Sequence, residues 1–387
     1  MDSIKLKEYS QSPSVQLNLD HLNLLLTRYK KQLGVRSSID GSGYMLTSNS
    51  YVGVYDLVDF KVIVEPKIDK LNIFKMLTFA YDLVFWYEEK SELNSIEELF
   101  EYLVLVFQRQ VDRLIKKGLL ADYVLVKERL NYAKGKIGVN SLVEKPWEKH
   151  LIDCNYDSYK VDILENQIIK YTIYFLKKYV KNAKVRRALV NTNRYLEEVS
   201  LKYISVRDID RVQYTTLNKH YKSIHNFCRL FLELFGVNEK QGEMYFNQFC
   251  VDMNQLYEKY IGKLLKNELR KDSVKLQMNS YLDEYDQINI KPDIVVSDNQ
   301  NHALIIDTKY KASKQIEQND IYQMAVYMSS FNADGVLLYP SFEIEETEYF
   351  IDGRTLYIKT IDLNKLDKNS KELVDWIKGV VNHTNKV

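Results

Sequence analysis

Hydrophobic and polar residues alternate in the first part of the chain. Residues 51–55 are mostly β-branched or aromatic around one glycine, and residues 61–68 alternate between polar and apolar side chains. Glycine and asparagine turn signals separate these runs, so the pattern predicts a small β-domain over residues 1 to about 70. Between residues 73 and 117 apolar residues recur at helical spacing, which predicts that helices follow the sheet.

Helical patterns dominate the middle of the chain. A short strand is predicted at residues 123–126, ahead of a basic, glycine-containing segment at residues 129–138. Such a segment is more often a solvated turn, and contact with a phosphate or a partner is the alternative. Residues 160–240 are rich in lysine, leucine and tyrosine, with no glycine between Gly138 and Gly236, which predicts a connecting helical region.

The pattern changes again after Gly242, where it predicts a helix, two strands, a second helix and a further strand. A chain of 387 residues exceeds the usual size of a single hydrophobic core. We therefore predict an α+β multidomain protein. Its domains are an N-terminal β-rich and helical domain at residues 1–150, a central helical region at residues 151–240 and a C-terminal α/β domain at residues 241–387.

Composition and charge narrow the function classes. Hydrophobic residues make up 45% and charged residues 28% of the chain, as is ordinary for a globular protein. The N-terminus lacks a secretory signal and the apolar runs are too short to cross a membrane, so we expect a cytoplasmic protein without membrane contact. The formal net charge of +1 disfavours a protein that grips duplex DNA unaided.

The cysteines and histidines do not form a recognisable metal motif. Cys154, Cys228 and Cys250 are scattered and odd in number, without a CxxC pair. This spacing predicts buried thiols, and neither a disulfide framework nor a zinc site.

The clearest chemistry lies on two β-runs near the C-terminus. Residues 288–296 and 302–309 flank a short polar turn. If they pair as an antiparallel hairpin, Asp293 falls almost opposite Asp307, and the two-residue period of a strand puts Asp307 and Lys309 on one face. Two carboxylates and an ammonium group would then converge.

This trio suits phosphodiester hydrolysis with Mg²⁺, for which Mn²⁺ is the alternative ion. Paired carboxylates hold the ion, which neutralises the scissile phosphate and acidifies a bound water, and the lysine orients that water or stabilises developing charge. The backbone carbonyl of Thr308 is a candidate further ligand. An Asp-x-Lys triplet alone is most often solvated charge, but the apolar run at residues 303–306 predicts a buried strand whose charges need partners.

Three more residues are candidates for this site. Gln323 and Tyr327 are four residues apart on one face of a predicted helix that follows the hairpin, where they could orient the lysine or a phosphate. Such a pair is more often ordinary surface and core. Glu258 interrupts an apolar stripe on the preceding helix and is a candidate metal ligand, with an ordinary boundary glutamate nearly as well favoured.

The upstream helical glutamate, the Pro-Asp pair, the Asp-x-Lys triplet and the Gln-x-x-x-Tyr pair resemble, in this order, the RecB-like branch of the PD-(D/E)xK nucleases. The chain is further similar to the McrC family, the nuclease subunits of McrBC-type, LlaJI-like restriction systems. The segments that carry this second resemblance are residues 64–68, 154–162, 165–170 and 249–260. The resemblance spans nearly the whole chain and implies a PD-(D/E)xK endonuclease domain at residues 241–387.

The resemblance also implies partners. In the McrC family a separate AAA+ GTPase, McrB, forms hexamers, recognises double-stranded DNA and translocates, and the N-terminal part of McrC docks into the GTPase ring and stimulates it. We expect part of residues 1–150 to do this here. The chain has no GxxxxGK[ST] loop, so we expect it to bind no nucleotide itself. The need for methylated DNA stays open, since LlaJI-like systems read unmodified sites.

Three functions are compatible with these patterns. The first is a Mg²⁺-dependent endonuclease subunit of a GTP-dependent restriction complex. The second is a regulatory and structural subunit that activates the GTPase and has a weak or silent nuclease site. The third is a stand-alone repair nuclease, which the charge balance disfavours because such an enzyme must bind DNA unaided.

Overall fold

The computed structural model is a mixed α/β structure with several sheets. It describes residues 2–39, 41–83, 93–138, 150–235, 237–240, 243–246, 249–270, 273–283, 285–298, 301–311, 315–341 and 344–384. Among the described helices, none combines the length and the apolar character that a membrane span requires.

The described residues of the N-terminal part form five strands and two helices. They are β1 (Asp2–Lys7), α1 (Leu19–Thr27), β2 (Leu33–Ser37), β3 (Tyr44–Ser48), β4 (Tyr51–Leu57), β5 (Phe60–Glu65) and α2 (Lys70–Ala80). β4 and β5 form an antiparallel hairpin, and β1 pairs with β5 in parallel. The prediction of a β-rich region is confirmed, but the region also contains α1, which was not predicted. The side chain of Asn18 caps this helix by accepting a hydrogen bond from the His21 N–H.

The middle of the chain contains a long helix, a three-stranded sheet and several shorter helices. They are α3 (Ile96–Lys117), β6 (Asp122–Leu130), β7 (Lys136–Gly138), β8 (Ile152–Lys160), α4 (Leu164–Leu176), α5 (Ala183–Arg194), α6 (Val206–Asp210), a 3₁₀ turn (Lys219–Tyr221), α7 (Lys222–Leu234), β9 (Val237–Lys240) and β10 (Glu243–Phe246). The strand at residues 123–126 and the helices after residue 160 are confirmed. The prediction of a helical region at residues 151–240 is wrong at both ends, where β8 and β9 are strands.

The side chain of Asn166 connects the middle elements. Its amide donates to the carbonyls of Leu120 and Val161 at 2.8 and 2.7 Å, and its oxygen accepts the Tyr221 hydroxyl at 2.8 Å. Asn166 is fully buried, and a buried amide is stable only when its polar atoms are paired. The asparagine therefore ties the first turn of α4 to two loops and to the 3₁₀ turn.

The C-terminal part is built around a six-stranded sheet. Its elements are β11 (Cys250–Asp252), α8 (Met253–Glu268), β12 (Val274–Leu276), β13 (Ser280–Tyr281), β14 (Asn289–Ile290), β15 (Ile294–Asp298), β16 (Asn301–Thr308), α9 (Gln318–Phe331), β17 (Asp334–Pro340), β18 (Thr347–Ile351), β19 (Arg354–Ile361), a 3₁₀ turn (Leu363–Lys365) and α10 (Leu366–Thr384). The strand order is β12-β15-β16-β17-β19-β18. Strands β16, β17 and β19 are parallel neighbours, and the others pair antiparallel.

One core of this sheet lies under α9. Met324 and Met328 of the helix pack with Val295, Ile305 and Leu337 of three central strands, and all five are buried. The central strands are buried because the parallel part of a sheet carries elements on its faces. This packing holds α9 against the sheet next to the end of β16.

The described elements group into two compact units. Unit 1 consists of Met1–Asp82, Glu88–Leu99 and Asn247–Val387, and unit 2 consists of Leu83–Tyr87 and Phe100–Phe246. The units do not follow the domain boundaries predicted at residues 150 and 240, since the N-terminal strands and the C-terminal sheet share one unit.

The N-terminal strands and the C-terminal sheet share one unit because two strands from distant parts of the sequence pair with each other. β11 pairs antiparallel with β4, with Cys250 opposite Gly53, and so completes the N-terminal sheet. The backbones of the two strands approach closely at Gly53, where a Cβ atom would lie 2.4 Å from the carbonyl oxygen of Phe249. Glycine at this position therefore permits the joint.

A buried hydrogen-bond network adds a second joint within unit 1. Glu8 is fully buried, and its Oε1 accepts from the Lys67 N–H at 2.6 Å and from the Tyr310 hydroxyl at 2.8 Å. The Tyr9 hydroxyl donates to the backbone carbonyl of Tyr310. Burial raises the pKa of Glu8, and the hydrogen bonds oppose that rise. The network joins the two residues that follow β1 to the residue that follows Lys309.

We expect Glu8→Ala to lower the free energy of unfolding by about 1–3 kcal/mol, because the Lys67 N–H and the Tyr310 hydroxyl would stay buried without their acceptor. Glu8→Gln keeps an acceptor oxygen and removes a buried charge, so its effect should be much smaller. Urea unfolding followed by circular dichroism measures both variants. Equal destabilisation by the two would contradict the hydrogen-bond explanation.

Candidate active site

The β15–β16 hairpin brings two aspartates together at its open end. The antiparallel register pairs Ile294 with Ile306, so Asp293 and Asp307 occupy the next position along the two chains. The predicted hairpin is therefore confirmed. Asp307 is 3% exposed and Asp293 is half-buried. A register shift between Val296 and Ser297 lies toward the turn and leaves the aspartate end regular.

Asp307 is a strongly perturbed carboxylate. Burial and the neighbouring Asp293 carboxylate together raise its pKa to about 6, against the opposing effect of the Lys309 ammonium. The Lys309 Nζ lies 2.6 Å from Asp307 Oδ2 as an ion pair. Within the described residues this buried oxygen accepts no well-directed hydrogen bond. An acidic oxygen in that position is suited to a cation.

Asp293 is oriented by backbone and side-chain donors. Its Oδ2 accepts from the Thr308 N–H at 2.8 Å and from the Thr308 hydroxyl at 2.7 Å. Its backbone carbonyl accepts from the Gln277 N–H at 2.7 Å. These bonds hold the carboxylate against the end of β16. The Thr308 carbonyl as a metal ligand remains a prediction.

Lys309 is held by a chain of three polar groups. Its ammonium donates to Gln323 Oε1 at 2.9 Å, and the Gln323 amide donates to the Tyr327 hydroxyl at 2.9 Å. The Tyr327 hydroxyl in turn donates to the Lys291 carbonyl at 3.4 Å. Tyr327 is buried on α9 and Gln323 is exposed. The structure thus brings the Gln-x-x-x-Tyr pair to the lysine.

Glu258 approaches the site from α8. Its Oε1 accepts from the Gln277 side-chain amide, whose oxygen accepts the Lys291 ammonium at 2.9 Å. Burial raises the pKa of Glu258, and the neighbouring Asp293 carboxylate raises it further. Glu258 therefore lies within electrostatic reach of Asp293.

The carboxylates fit a divalent cation with few protein ligands. Among the residues that the structure describes, no three histidine, cysteine or carboxylate side chains are grouped closely enough to hold a metal ion. Mg²⁺ commonly takes one or two carboxylates and completes its octahedron with water and substrate phosphate oxygens. Asp293 and Asp307 supply such a pair. Asp293 raises the pKa of Asp307, and a cation bound between the two carboxylates would relieve that effect.

Sequence reasoning missed a second polar cluster beside this site. Asp320 is buried in the first turn of α9, where it accepts from the Lys311 ammonium at 2.9 Å and from the Tyr339 hydroxyl at 2.9 Å. Its charge also raises the pKa of Asp307. Lys311 lies two residues after Lys309, and this spacing of lysines was the feature of the sequence that could have indicated the second cluster. Gln277 was missed as well, and nothing in its local sequence indicates its role.

Comparison with known proteins gives a family and a fold. The model for the family described as "McrBC 5-methylcytosine restriction system component" matches residues 46–340. The search of curated proteins returned no match. The chain is similar to a chain in the refined half-complex from the tetradecameric assembly of Thermococcus gammatolerans McrB AAA+ hexamers with bound McrC, with a TM-score of 0.62, 19% identity and coverage of 97% of this chain and 100% of that one.

A second solved structure, the Thermococcus gammatolerans McrBC complex determined by cryo-electron microscopy, matches with a TM-score of 0.45 and 18% identity over 69% of this chain and 88% of that one. At these identities the likeness to solved structures concerns the fold.

We expect Asp307→Asn to weaken Mn²⁺ binding by at least roughly tenfold. Removing a residue that only contacts a metal ligand commonly weakens metal affinity by about 10–100-fold, so loss of a ligand should cost at least the lower figure. The amide has nearly the same shape but lacks the negative charge. Isothermal titration calorimetry measures the affinity, and thermal unfolding without metal checks the fold. Asp367→Asn, which alters an exposed carboxylate on α10, is the matched control. Unchanged affinity in the Asp307 variant would exclude this carboxylate as a ligand.

Proposed function

Because this chain belongs to the family of McrBC 5-methylcytosine restriction system components, we propose that it is the DNA-cleaving subunit of such a system, with a PD-(D/E)xK site. The observation that carries the proposal is the convergence of Asp293, Asp307 and Lys309 at the end of one hairpin. Two carboxylates and an ammonium group at that spacing form an arrangement for hydrolysing a phosphodiester bond.

Asp293 and Asp307 would hold Mg²⁺, together with the Thr308 carbonyl, and Glu258 is a further candidate ligand beside Asp293. Mn²⁺ is the alternative ion. When bound, the ion supplies neutralisation of the scissile phosphate and a lower pKa for a water molecule. The Thr308 N–H and hydroxyl keep Asp293 turned toward the site.

Lys309 supplies a positive charge that can change its contacts within the site. In the structure its ammonium contacts both the Asp307 carboxylate and the Gln323 oxygen. A cation that binds Asp307 would compete with the ammonium for that carboxylate, and the Gln323 contact would then keep Lys309 at the site. From there it can donate to a phosphate oxygen or orient the attacking water, which stabilises the charge that develops in the transition state. Gln323 and Tyr327 are positioning residues.

We further propose that GTP hydrolysis is carried out by a separate AAA+ GTPase hexamer and that part of residues 1–150 docks on it. Support comes from the similar fold of a chain in an assembly of McrB AAA+ hexamers with bound McrC. Double-stranded DNA is the proposed substrate. The match to a 5-methylcytosine system supports modified DNA as the target, with the unmodified site as the alternative.

One observation favours a second candidate, a regulatory subunit that activates the GTPase and has a weak nuclease site. Within the described residues no three potential ligands converge, and Lys309 is paired with the same Asp307 that a metal would need. A site that depends on two carboxylates and on displacing a lysine could be slow. The two candidates differ in whether DNA cleavage depends on Asp307.

We expect purified chain, partner GTPase, GTP and Mg²⁺ together to cut plasmid DNA, and we expect Asp307→Ala to abolish cutting while leaving stimulation of the partner's GTPase intact. Lys309→Ala should reduce the cleavage rate by about 10²–10³-fold, the usual effect of removing one donor to a developing oxyanion. Gel assays and phosphate release measure the two activities. Full cleavage by Asp307→Ala would refute the nuclease site, and GTPase stimulation without any Asp307-dependent cleavage would support the regulatory subunit.

We expect Gln323→Ala to slow cleavage by roughly 10–100-fold, because the variant lacks an indirect partner of the site, while Mn²⁺ affinity stays unchanged. Tyr327→Phe removes only the hydroxyl that receives the Gln323 amide and should have a smaller effect of the same kind. Tyr322→Phe removes an exposed hydroxyl from the same helix and is the matched control. Weaker metal affinity in Gln323→Ala would contradict a role through Lys309.

A further inference from the structure

Positive charge is concentrated in one unit of the chain. Residues 100–246 hold 26 lysines and arginines against 17 aspartates and glutamates, a net charge of +9. They make up nearly all of unit 2, whose remaining residues 83–87 carry no charge. Unit 1 holds 28 against 36, a net charge of −8. The overall charge of +1 therefore conceals two opposite charges.

Unit 2 contains a basic cleft between the last turns of α3 and the start of α7. The cleft has a volume of about 360 Å³. Arg113, Lys116, Lys117 and His220 line it, and all four are exposed. Leu114 and Ile224 are buried and form its apolar floor. Three permanent cations and an imidazole thus face one concave surface.

These cations are not neutralised by the acidic groups nearby. Arg113 and Lys117 are one turn apart on α3 and share a face, whereas Gln108 and Asp112 lie on the opposite face. Lys116 follows Asp112 by one turn but forms no ion pair with it among the described residues. Asp112 there accepts the Thr192 hydroxyl of α5 at 2.6 Å. Across the part of the chain that the structure describes, Arg113, Lys116 and Lys117 make no ion pair. The cleft keeps its charge available for a ligand.

Part of this charge has a simpler cause. Lys116 and Lys117 lie in the last turn of α3, where cations offset the helix dipole. That cause does not extend to Arg113, which lies a turn earlier, or to His220 on the 3₁₀ turn. What the four residues share is that their side chains line the same cleft.

We propose that this cleft binds the phosphate backbone of duplex DNA, which deepens the proposed function and rests on it. A hydrolase for DNA must hold a polyanion, and unit 1, which contains the Asp307 site, is itself acidic. Lysine and arginine side chains on a concave surface are the usual backbone contacts, and they position DNA without reading its sequence. The cleft would supply DNA affinity that the acidic unit lacks.

The test measures binding of fluorescently labelled duplex DNA to the full chain in EDTA, by anisotropy, over a series of salt concentrations. The variant is Arg113→Gln with Lys116→Gln and Lys117→Gln. The matched control is Lys184→Gln with Arg187→Gln and Arg194→Gln, three exposed cations on α5, which contacts the opposite face of α3. Both triple variants remove the same charge. Circular dichroism confirms that each is folded.

We expect the cleft variant to bind at least roughly tenfold more weakly at low salt. The slope of log affinity against log salt should fall by about 0.9 for each DNA phosphate that the variant no longer neutralises. The control should keep the wild-type slope. An unchanged slope in the cleft variant, or an equal change in both variants, would overturn the proposal. Weaker binding to the partner GTPase with unchanged DNA binding would also overturn it, in favour of an acidic protein surface.

Because the binding experiment is done in EDTA, it tests DNA binding by the cleft independently of metal-dependent cleavage. Wild-type chain that binds DNA through the cleft in EDTA, but does not cut it when partner, GTP and Mg²⁺ are supplied, would refute the nuclease and leave the cleft standing. Asp307-dependent cleavage with an unchanged salt slope would refute the cleft and leave the nuclease standing.

Discussion

The ion pair between Asp307 and Lys309 at the end of a buried strand is the interaction on which the candidate site depends. A carboxylate that is 3% exposed is costly unless it is paired, and here its partner is an ammonium 2.6 Å away. Asp293 lies beside the pair and raises the pKa of Asp307. The strand therefore carries more negative charge than one lysine balances. This imbalance is the physical basis of the proposed divalent-cation site, in which a bound ion would compete with Lys309 for Asp307.

The rest of unit 1 keeps this charged end in place. α9 supplies Gln323 and Tyr327 to hold Lys309, and its apolar face packs on the central strands. From the other side, Tyr310 binds Glu8 of the N-terminal segment through its hydroxyl, and β11 joins the N-terminal sheet to α8, which carries Glu258. Because Tyr310 directly follows Lys309, the N-terminal strands brace the site itself.

The division of charge suggests a division of labour between the units. Unit 1, with the site, is acidic by 8 charges, and unit 2 is basic by 9. A unit with net negative charge repels nucleic acid unless contacts elsewhere compensate for it. The proposed backbone contacts in unit 2 and a DNA-reading partner would both provide that compensation. Only the partner would also make the proposed cleavage depend on assembly, because unit 2 belongs to the same chain as the site.

Local patterns in the sequence determined the β-rich start, most helices after residue 160 and the β15–β16 hairpin with Asp293, Asp307 and Lys309 at its end. Strand period and helix spacing act over a few residues and can be read directly. The sequence did not reveal that β11 completes the N-terminal sheet, that Glu8 binds Tyr310, or that Asp320 and Gln277 lie at the site. Those contacts join residues far apart in the chain, or groups with no distinctive local pattern. Only tertiary packing decided them, because burial and hydrogen bonding are satisfied by whichever groups the folded chain brings together.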